Sequence, residues 1–369
     1  MTQPLVIHVV TSPDGGGAQR LVRELTERLP AHGVDTWAIY YRNPRNTHLS
    51  NREICLESRG VRHLSPMLAL QNALRGCIAD AENTVIHAHL TWPLYHLAML
   101  RNRFMASLVF TEHSTHNKRR NIPWLRPIER KVYRQYDSIV AISGGVEELL
   151  GCWLEASDLI SKITTITNGS VMLGFRERAR PCARGARLVS VGSLTHQKGF
   201  DVAIRSVAKI KEKVDRYTIV GEGTERSSLQ KLVKSLQLES KVFLPGYAND
   251  VERFLHDADL AVMPSRWEGF GLAATEALST GLPIVASDVA GMRDVLLGCD
   301  AAVLSPPEDE QALTAGICAA LDNLAGRSGI ARKARLHAEL FTIDSMVVRY
   351  AEIYKMLCHR LKSEKKPLR

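Results

Sequence analysis

The sequence predicts an α/β chain built from two doubly wound domains that face each other across a cleft. Three observations predict it. At 369 residues the chain is too long for one ordinary core. Short apolar or β-branched runs alternate with helix-sized segments, which implies a parallel sheet covered on both faces. The alternation then restarts near Arg180, after a polar and breaker-rich stretch.

Leu5 to Val10 is the first apolar run, followed by Ser12-Pro13-Asp14-Gly15-Gly16-Gly17. Ala18 to Leu29 has helical spacing through Leu21, Val22, Leu25 and Leu29. Thr36 to Tyr41, Thr84 to His87, Ser107 to Thr111, Ser138 to Ile142 and Ile163 to Ile166 read as further strands. Residues 178–185 form the expected linker. The second series runs through a strand at Leu188 to Val191, a helix at Phe200 to Lys211 and a strand at Tyr217 to Val220. A helix at Ser227 to Ser235 follows, then strands at Lys241 to Leu244, Leu260 to Met263 and Ile284 to Ala286. The expected domains are 1–178, completed by a C-terminal helix at 345–362, and 179–344.

The bulk composition narrows the class. Hydrophobic content of 45% and charged content of 24% are those of a soluble globular protein. No run of 18 apolar residues is present, so no spanning helix is expected. Met1-Thr2-Gln3-Pro4 lacks the basic start and cleavage site of a signal peptide. Seven cysteines without close pairing fit reduced thiols and a cytoplasmic location, and no His/Cys spacing suggests zinc.

The net charge is +9. Nine Lys/Arg fall between Arg101 and Gln135, against Glu112 and Glu129, and the tail from Lys355 to Arg369 carries six basic residues and one acidic. Such charge attracts an anionic leaflet, nucleic acid or a phosphorylated small molecule. The plain alternative is a solvated basic face. Ile122, Trp124 and Leu125 interleave with the first cluster, which suits a membrane interface.

Three glycine turns follow predicted strands, where ligands of open parallel sheets bind. Gly15-Gly16-Gly17 leads into a helix, whose free N–H groups suit an oxyanion. It also fits a plain strand-to-helix turn. Gly221-Glu222-Gly223 begins like GxGxxG but has Arg226 where the third glycine belongs, so it is weak evidence for a dinucleotide. The third turn is Arg266-Trp267-Glu268-Gly269-Phe270-Gly271. A helix is expected from Leu272 with Ala273, Ala274, Ala277 and Leu278 inward and Glu276 in its first turns. Glu268 and Glu276 stand eight apart. A carboxylate can accept two hydroxyl hydrogen bonds, which suits a vicinal diol of a ribose or hexose. The amides of Gly271 and Leu272 would face an anion at the helix start. The competing reading makes either glutamate a capping carboxylate.

Taken with "GGGAQR" in the first turn, "VGSLTHQKGFD" at 191–201, "IVGEGTERSSL", "FLPGYANDV", "TEH" at 111–113, "AIS" at 141–143 and "TNG" at 167–169, the E-x7-E pair inside "PSRWEGFGLAATEALSTGLPIVASDVAG" resembles family 4 of the retaining GT-B glycosyltransferases. The motifs occur in family order across essentially the whole chain.

The resemblance implies two Rossmann-like domains and a set of roles. Glu276 would bind the ribose of a nucleotide sugar, with Leu272 at the helix start. Glu268 would contact the transferred sugar, as would Gly269, Phe270 and Gly271. Lys198 would neutralise the diphosphate, so that no metal is expected. Gly16 and Gly17 would close on the diphosphate, and the loop from Gly246 through Tyr247 and Ala248 to Asn249 would read the base. His113 would lie near the sugar and the acceptor hydroxyl. The catalytic set implied is therefore His113, Glu268 and Lys198.

One departure is Ser193, where many members have arginine. Arg266 is the candidate replacement, and Lys118, Arg119 and Arg120 are candidate acceptor or diphosphate contacts. The implied reaction moves a hexose or N-acetylhexosamine, with UDP favoured over GDP, to a hydroxyl of a saccharide. The basic, aromatic segment points to a lipid-linked acceptor in surface polysaccharide or lipopolysaccharide assembly, at the inner face of the cytoplasmic membrane. A GDP-mannose-dependent enzyme and a soluble acceptor are the alternatives. A nucleic-acid-binding protein would need stacking positions or a recognition helix, and neither is found. An epimerase or a phosphorylase-like enzyme shares the two-domain plan.

Overall fold

A computed structural model describes residues 3–58, 60–61, 64–177, 185–324 and 329–364. It divides into two units, one of residues 1–169 and 343–369, the other of residues 170–342. The boundaries differ from 178 and 344 because the chain after "TNG" already belongs to the second unit. Ser170 donates its backbone N–H to the Phe341 carbonyl there. Most of the expected linker, residues 178–184, lies outside the described residues.

The first unit runs β1 (Leu5–Val10), α1 (Gly17–Arg28), β2 (Asp35–Tyr40), β3 (Glu53–Cys55), α2 (Leu64–Cys77), β4 (Thr84–His89), α3 (Thr91–Leu100), β5 (Ser107–Glu112), α4 (Arg126–Arg134), β6 (Ser138–Ala141), α5 (Gly144–Leu154), α6 (Ser157–Ile160) and β7 (Ile163–Thr165). Its seven-stranded parallel sheet has the order β3-β2-β1-β4-β5-β6-β7. Every residue of β4 and β5 is buried, which explains their near-continuous apolar or β-branched sequence.

The second unit runs β8 (Ala186–Val191), α7 (Phe200–Lys209), β9 (Val214–Val220), α8 (Arg226–Ser235), β10 (Val242–Gly246), α9 (Glu252–His256), β11 (Leu260–Met263), α10 (Leu272–Ser279), β12 (Ile284–Ser287), α11 (Ala290–Leu296), β13 (Ala302–Ser305), α12 (Glu310–Leu324) and α13 (Ile330–Ala338). Its sheet is parallel, in the order β10-β9-β8-β11-β12-β13. Leu188, Phe200, Ile204, Tyr217, Leu260 and Val262 meet in its core. Each such aliphatic side chain contributes about 1.5–3 kcal/mol by leaving water.

The last helix, α14 (Ile343–Glu364), returns to the first unit. Val347, Tyr350, Tyr354 and Leu357 are buried at helical spacing, and the helix packs on β4, β5 and α1. The strands β3 and β13 are absent from the sequence reading, β3 because it is three half-buried residues without an apolar pattern. Among the described residues no helix is long and apolar enough to cross a membrane.

Candidate active site

In an open parallel sheet the strand order reverses at one point, and ligands bind at the carboxyl ends there. In the second unit that point lies between β8 and β11, which are adjacent. The loop after β8 carries Lys198 and the loop after β11 carries Glu268.

Backbone contacts tie these loops together. The Arg266 N–H donates to the Gln197 carbonyl at 2.8 Å, and the Gln197 side-chain amide donates to the Trp267 carbonyl at 3.0 Å. The Arg266 guanidinium donates to the His196 carbonyl at 2.8 Å, to both oxygens of Asp201 at 3.0 Å and to Glu308 at 2.8 Å. Gly199 lets the first loop turn into α7. Its φ is +62°, and a methyl group there would lie inside van der Waals contact of the Pro264 carbonyl oxygen. The Lys198 stem lies across Gly192, and its ammonium pairs with Oε1 of Glu268. Ser265 Oγ donates to the same oxygen at 2.8 Å. Glu268 is therefore an orienting acceptor fixed from two sides. Lys198 has two N–H donors beyond the one it gives Glu268.

These contacts change the reading of Arg266. Its charge is matched by Asp201 and Glu308, and its side chain is 10% exposed. The hydrogen bond to Asp201 raises its pKa further. It fastens one loop to the other, and the sequence-based expectation of a phosphate-binding role has no support in this geometry. Ser193 is exposed.

Gly269, Phe270 and Gly271 form a buried turn, with Phe270 edge-on to Phe341 at 5.7 Å between ring centroids. Gly271 has φ +99°, a left-handed entry to α10 that favours glycine. Leu272 opens the helix as expected. Ala274, Ala277 and Leu278 are buried, whereas Ala273 is only half-buried, a small correction. Glu276 sits in the second turn and is 5% exposed. Such deep burial is unusual for a charged side chain unless something matches it.

Gly246 ends the edge strand β10, two strands from β8, and Tyr247 and Ala248 follow it, with Tyr247 61% exposed. Oδ1 of Asp250 accepts the Arg253 N–H. Gly221 and Gly223 are explained by packing, since a methyl on either would meet the carbonyl of Gly192 or Leu194.

In the first unit Gly16 and Gly17 are exposed at the start of α1, with the Gly16 N–H donating to Gln19 Oε1 at 3.0 Å. Gln19 thus does a capping glutamate's work. His113 follows β5 and is half-buried, with Nε2 3.1 Å from Nδ1 of His89. Burial pushes its pKa down to about 3, so it is neutral near pH 7. Beside it, the Glu112 carboxylate accepts from Arg120 at 2.8 Å and from the Tyr133 hydroxyl at 3.2 Å. Nε and Nη1 of Arg120 are buried and have no partner among the described residues. Arg119 differs. It pairs with buried Glu129 and also donates to the Tyr95 hydroxyl at 2.8 Å, so its charge is spent inside the unit. Lys118 is exposed.

The expected basic patch is also mostly spent. Arg101, Arg119, Arg120, Arg126, Arg130 and Arg134 pair with Asp137, Glu129, Glu112, Glu155, Glu155 and Asp158. The local charge count missed this because three of those carboxylates follow the basic segment in sequence. The apolar part remains open, with Trp124 68% and Ile128 48% exposed.

A group of histidines escaped the sequence reading. His8 on β1 stands opposite His87 on β4, and His89 lies two residues further on the same face. All three are buried, with potential ligating nitrogens within 4.8 Å of one another. The "IHAH" run carried the signal, since alternate strand residues share a face. The pairing of β1 with β4 was needed to add His8.

The sequence profile described as Glycosyltransferase Family 4 matches residues 15–170, and that described as Glycosyl transferases group 1 matches residues 180–337. A glycogen synthase of Mycobacterium tuberculosis is 30% identical over 270 residues, which are 68% of this chain and 63% of the relative. The match therefore spans less than two thirds of that relative's length. An O-antigen biosynthesis glycosyltransferase of Escherichia coli is 35% identical over 100 residues, 27% of this chain and 28% of the relative. A crystal structure of Anabaena Alr3699/HepE in complex with UDP superposes with a TM-score of 0.78 and 17% identity, over 96% of this chain and all of that one. It supports the two-sheet fold. With both halves matched in order, the chain belongs to the group 1, family 4 glycosyltransferases, as the sequence motifs implied.

Proposed function

We propose that the protein moves a hexose or N-acetylhexosamine from a UDP-sugar to a hydroxyl of a saccharide acceptor, with retention. The observation that carries this reading is the Lys198–Glu268 pair at the switch point of the second sheet, one loop before the helix that bears buried Glu276. Lys198 would turn its remaining donors to the diphosphate, aided by the free amides at the start of α10. Glu268 would hold hydroxyls of the transferred sugar and Glu276 those of the ribose. Loss of a nucleoside diphosphate develops negative charge, and a fixed ammonium stabilises it where a metal otherwise would. The family membership supports the transfer, and the UDP in the Anabaena structure supports the base. A thermal-shift series with UDP, GDP, ADP and their sugars tests it. UDP and one UDP-sugar should raise the melting temperature, and stabilisation by GDP alone would reverse the choice of base. Activity unchanged by EDTA would support metal independence, and its loss would count against it.

The acceptor we propose is lipid-linked, in surface polysaccharide or lipopolysaccharide assembly, with the protein peripheral at the inner face of the cytoplasmic membrane. The name of the O-antigen relative supports the pathway class. The open Ile122, Trp124 and Ile128 support membrane contact through apolar and aromatic groups more than through charge. Arg120, with two unpaired donors beside His113, is the proposed anionic contact for the acceptor.

A further inference from the structure

His8 on β1, His89 on β4 and His113 just after β5 are joined ring to ring. His8 Nδ1 lies 3.1 Å from His89 Nε2, and His89 Nδ1 lies 3.1 Å from His113 Nε2. A neutral imidazole carries one N–H and one bare nitrogen. Burial pushes His8 and His113 down to about 3 and His89 well below its ordinary value, so all three are neutral near pH 7. Each ring-to-ring bond needs one proton and can hold only one. If His8 donates from Nδ1, His89 must carry its proton on Nδ1, and His113 must do the same. If the first bond is reversed, all three protons sit on Nε2. No mixed state keeps both bonds.

We infer that His8, His89 and His113 form one tautomeric unit, in which His89, and His8 behind it, are positioning residues that set whether the outward Nδ1 of His113 carries a proton. At the far end of the unit, His8 Nε2 is buried and has no partner among the described residues. His87 stands aside, since Tyr354 and Thr111 occupy its two nitrogens at 2.7 Å each. The bond from His89 fixes one nitrogen of the His113 ring. His113 therefore serves as a hydrogen-bonding group of one polarity: with all protons on Nδ1 it offers a donor outward, and with all on Nε2 it offers a bare nitrogen. The consequence for turnover rests on the transferase reading above; the shared tautomer does not.

Two measurements separate these parts. Two-bond 1H–15N correlation spectra of the full chain with ring-labelled histidine report each tautomer at pH 7. Variants at the three positions assign the signals. We expect one tautomer shared by all three rings. In His8→Phe, His89 and His113 should still match each other. In His89→Phe, the His113 nitrogens should average to mixed values. One ring opposite to the others, or one charged ring, overturns the inference. So does stoichiometric zinc in the purified protein, because it would claim the His8 and His89 nitrogens. If His89→Phe does not fold, the wild type and His8→Phe decide. For the kinetic consequence, His89→Phe should lower kcat about tenfold with the donor KM within about twofold, the low end of the loss known for removing an outer partner of a metal-bound histidine. His89→Gln, which keeps one donor and one acceptor, should recover most of it. Equal losses in both variants, in step with melting temperature, would overturn the positioning role.

Discussion

Gly199→Ala is the sharpest test of how the candidate site is held. Alanine must first adopt φ +62°, a left-handed conformation that costs about 1–2 kcal/mol. Its methyl group then meets the Pro264 carbonyl oxygen well inside contact distance, so the two loops must part by about 1 Å. Overpacking of that kind adds about 1–3 kcal/mol. The sum, about 2–5 kcal/mol, lowers the melting temperature of a unit this size by roughly 4–20 °C. The parting also moves Lys198 away from Glu268, and a 1 Å misplacement at a reacting centre costs on the order of 100-fold in rate. Gly298→Ala is the control. Gly298 has φ +78° in the same unit but open space around it, so only the conformational cost applies. Differential scanning calorimetry and turnover of both variants decide. If Gly199→Ala melts with Gly298→Ala and keeps its rate, the loops are not held as described.

Glu276→Ala should weaken binding of donor and free nucleotide alike, read by titration calorimetry, whereas Glu268→Ala should cut turnover while free nucleotide still binds. The opposite pattern would exchange their roles. Arg266→Ala should cost about 2 kcal/mol at pH 7, discounted for the exposure of Asp201 and Glu308, with no selective loss of donor affinity. Burial alone would raise the Asp201 pKa, but Arg266 outweighs it and holds the carboxyl below its ordinary value. That contribution is present above about pH 4 and is lost as pH falls through the lowered value, so the gap between wild type and variant should close in acid. A gap that widens in acid would refute the pairing. Sedimentation with liposomes should show binding lost in Trp124→Ala but little changed between 0.1 and 0.5 M salt, given how many arginines are paired internally; strong salt sensitivity would restore a basic patch as the driver.

Strands that are buried on both faces were legible because they read as continuous apolar runs, and Leu5–Val10 and Leu260–Met263 are found where the sequence put them. The start of α10 at Leu272 was legible because Gly271 supplies its left-handed entry. The Lys198–Glu268 pairing was not legible, since 70 residues separate the partners and only the adjacency of β8 and β11 joins their loops. Arg266 misled for the same reason. A cation beside a glycine turn suggests phosphate until Asp201, brought in by α7, is seen to occupy it. The histidine string needed three strands to be ordered before any of its bonds could be inferred.

The return of α14 to the first unit sets the timing of synthesis. The first sheet is made early, but Tyr350 and Tyr354, which meet Thr111 and His87, are made only after the whole second unit. At about 5–20 residues per second that delay is on the order of ten seconds or more. During it the face of the first sheet that carries His87 and Thr111 lacks the helix that covers it in the finished chain. Released chains truncated after Thr342 should therefore be protease-sensitive in the first unit while the second is protected.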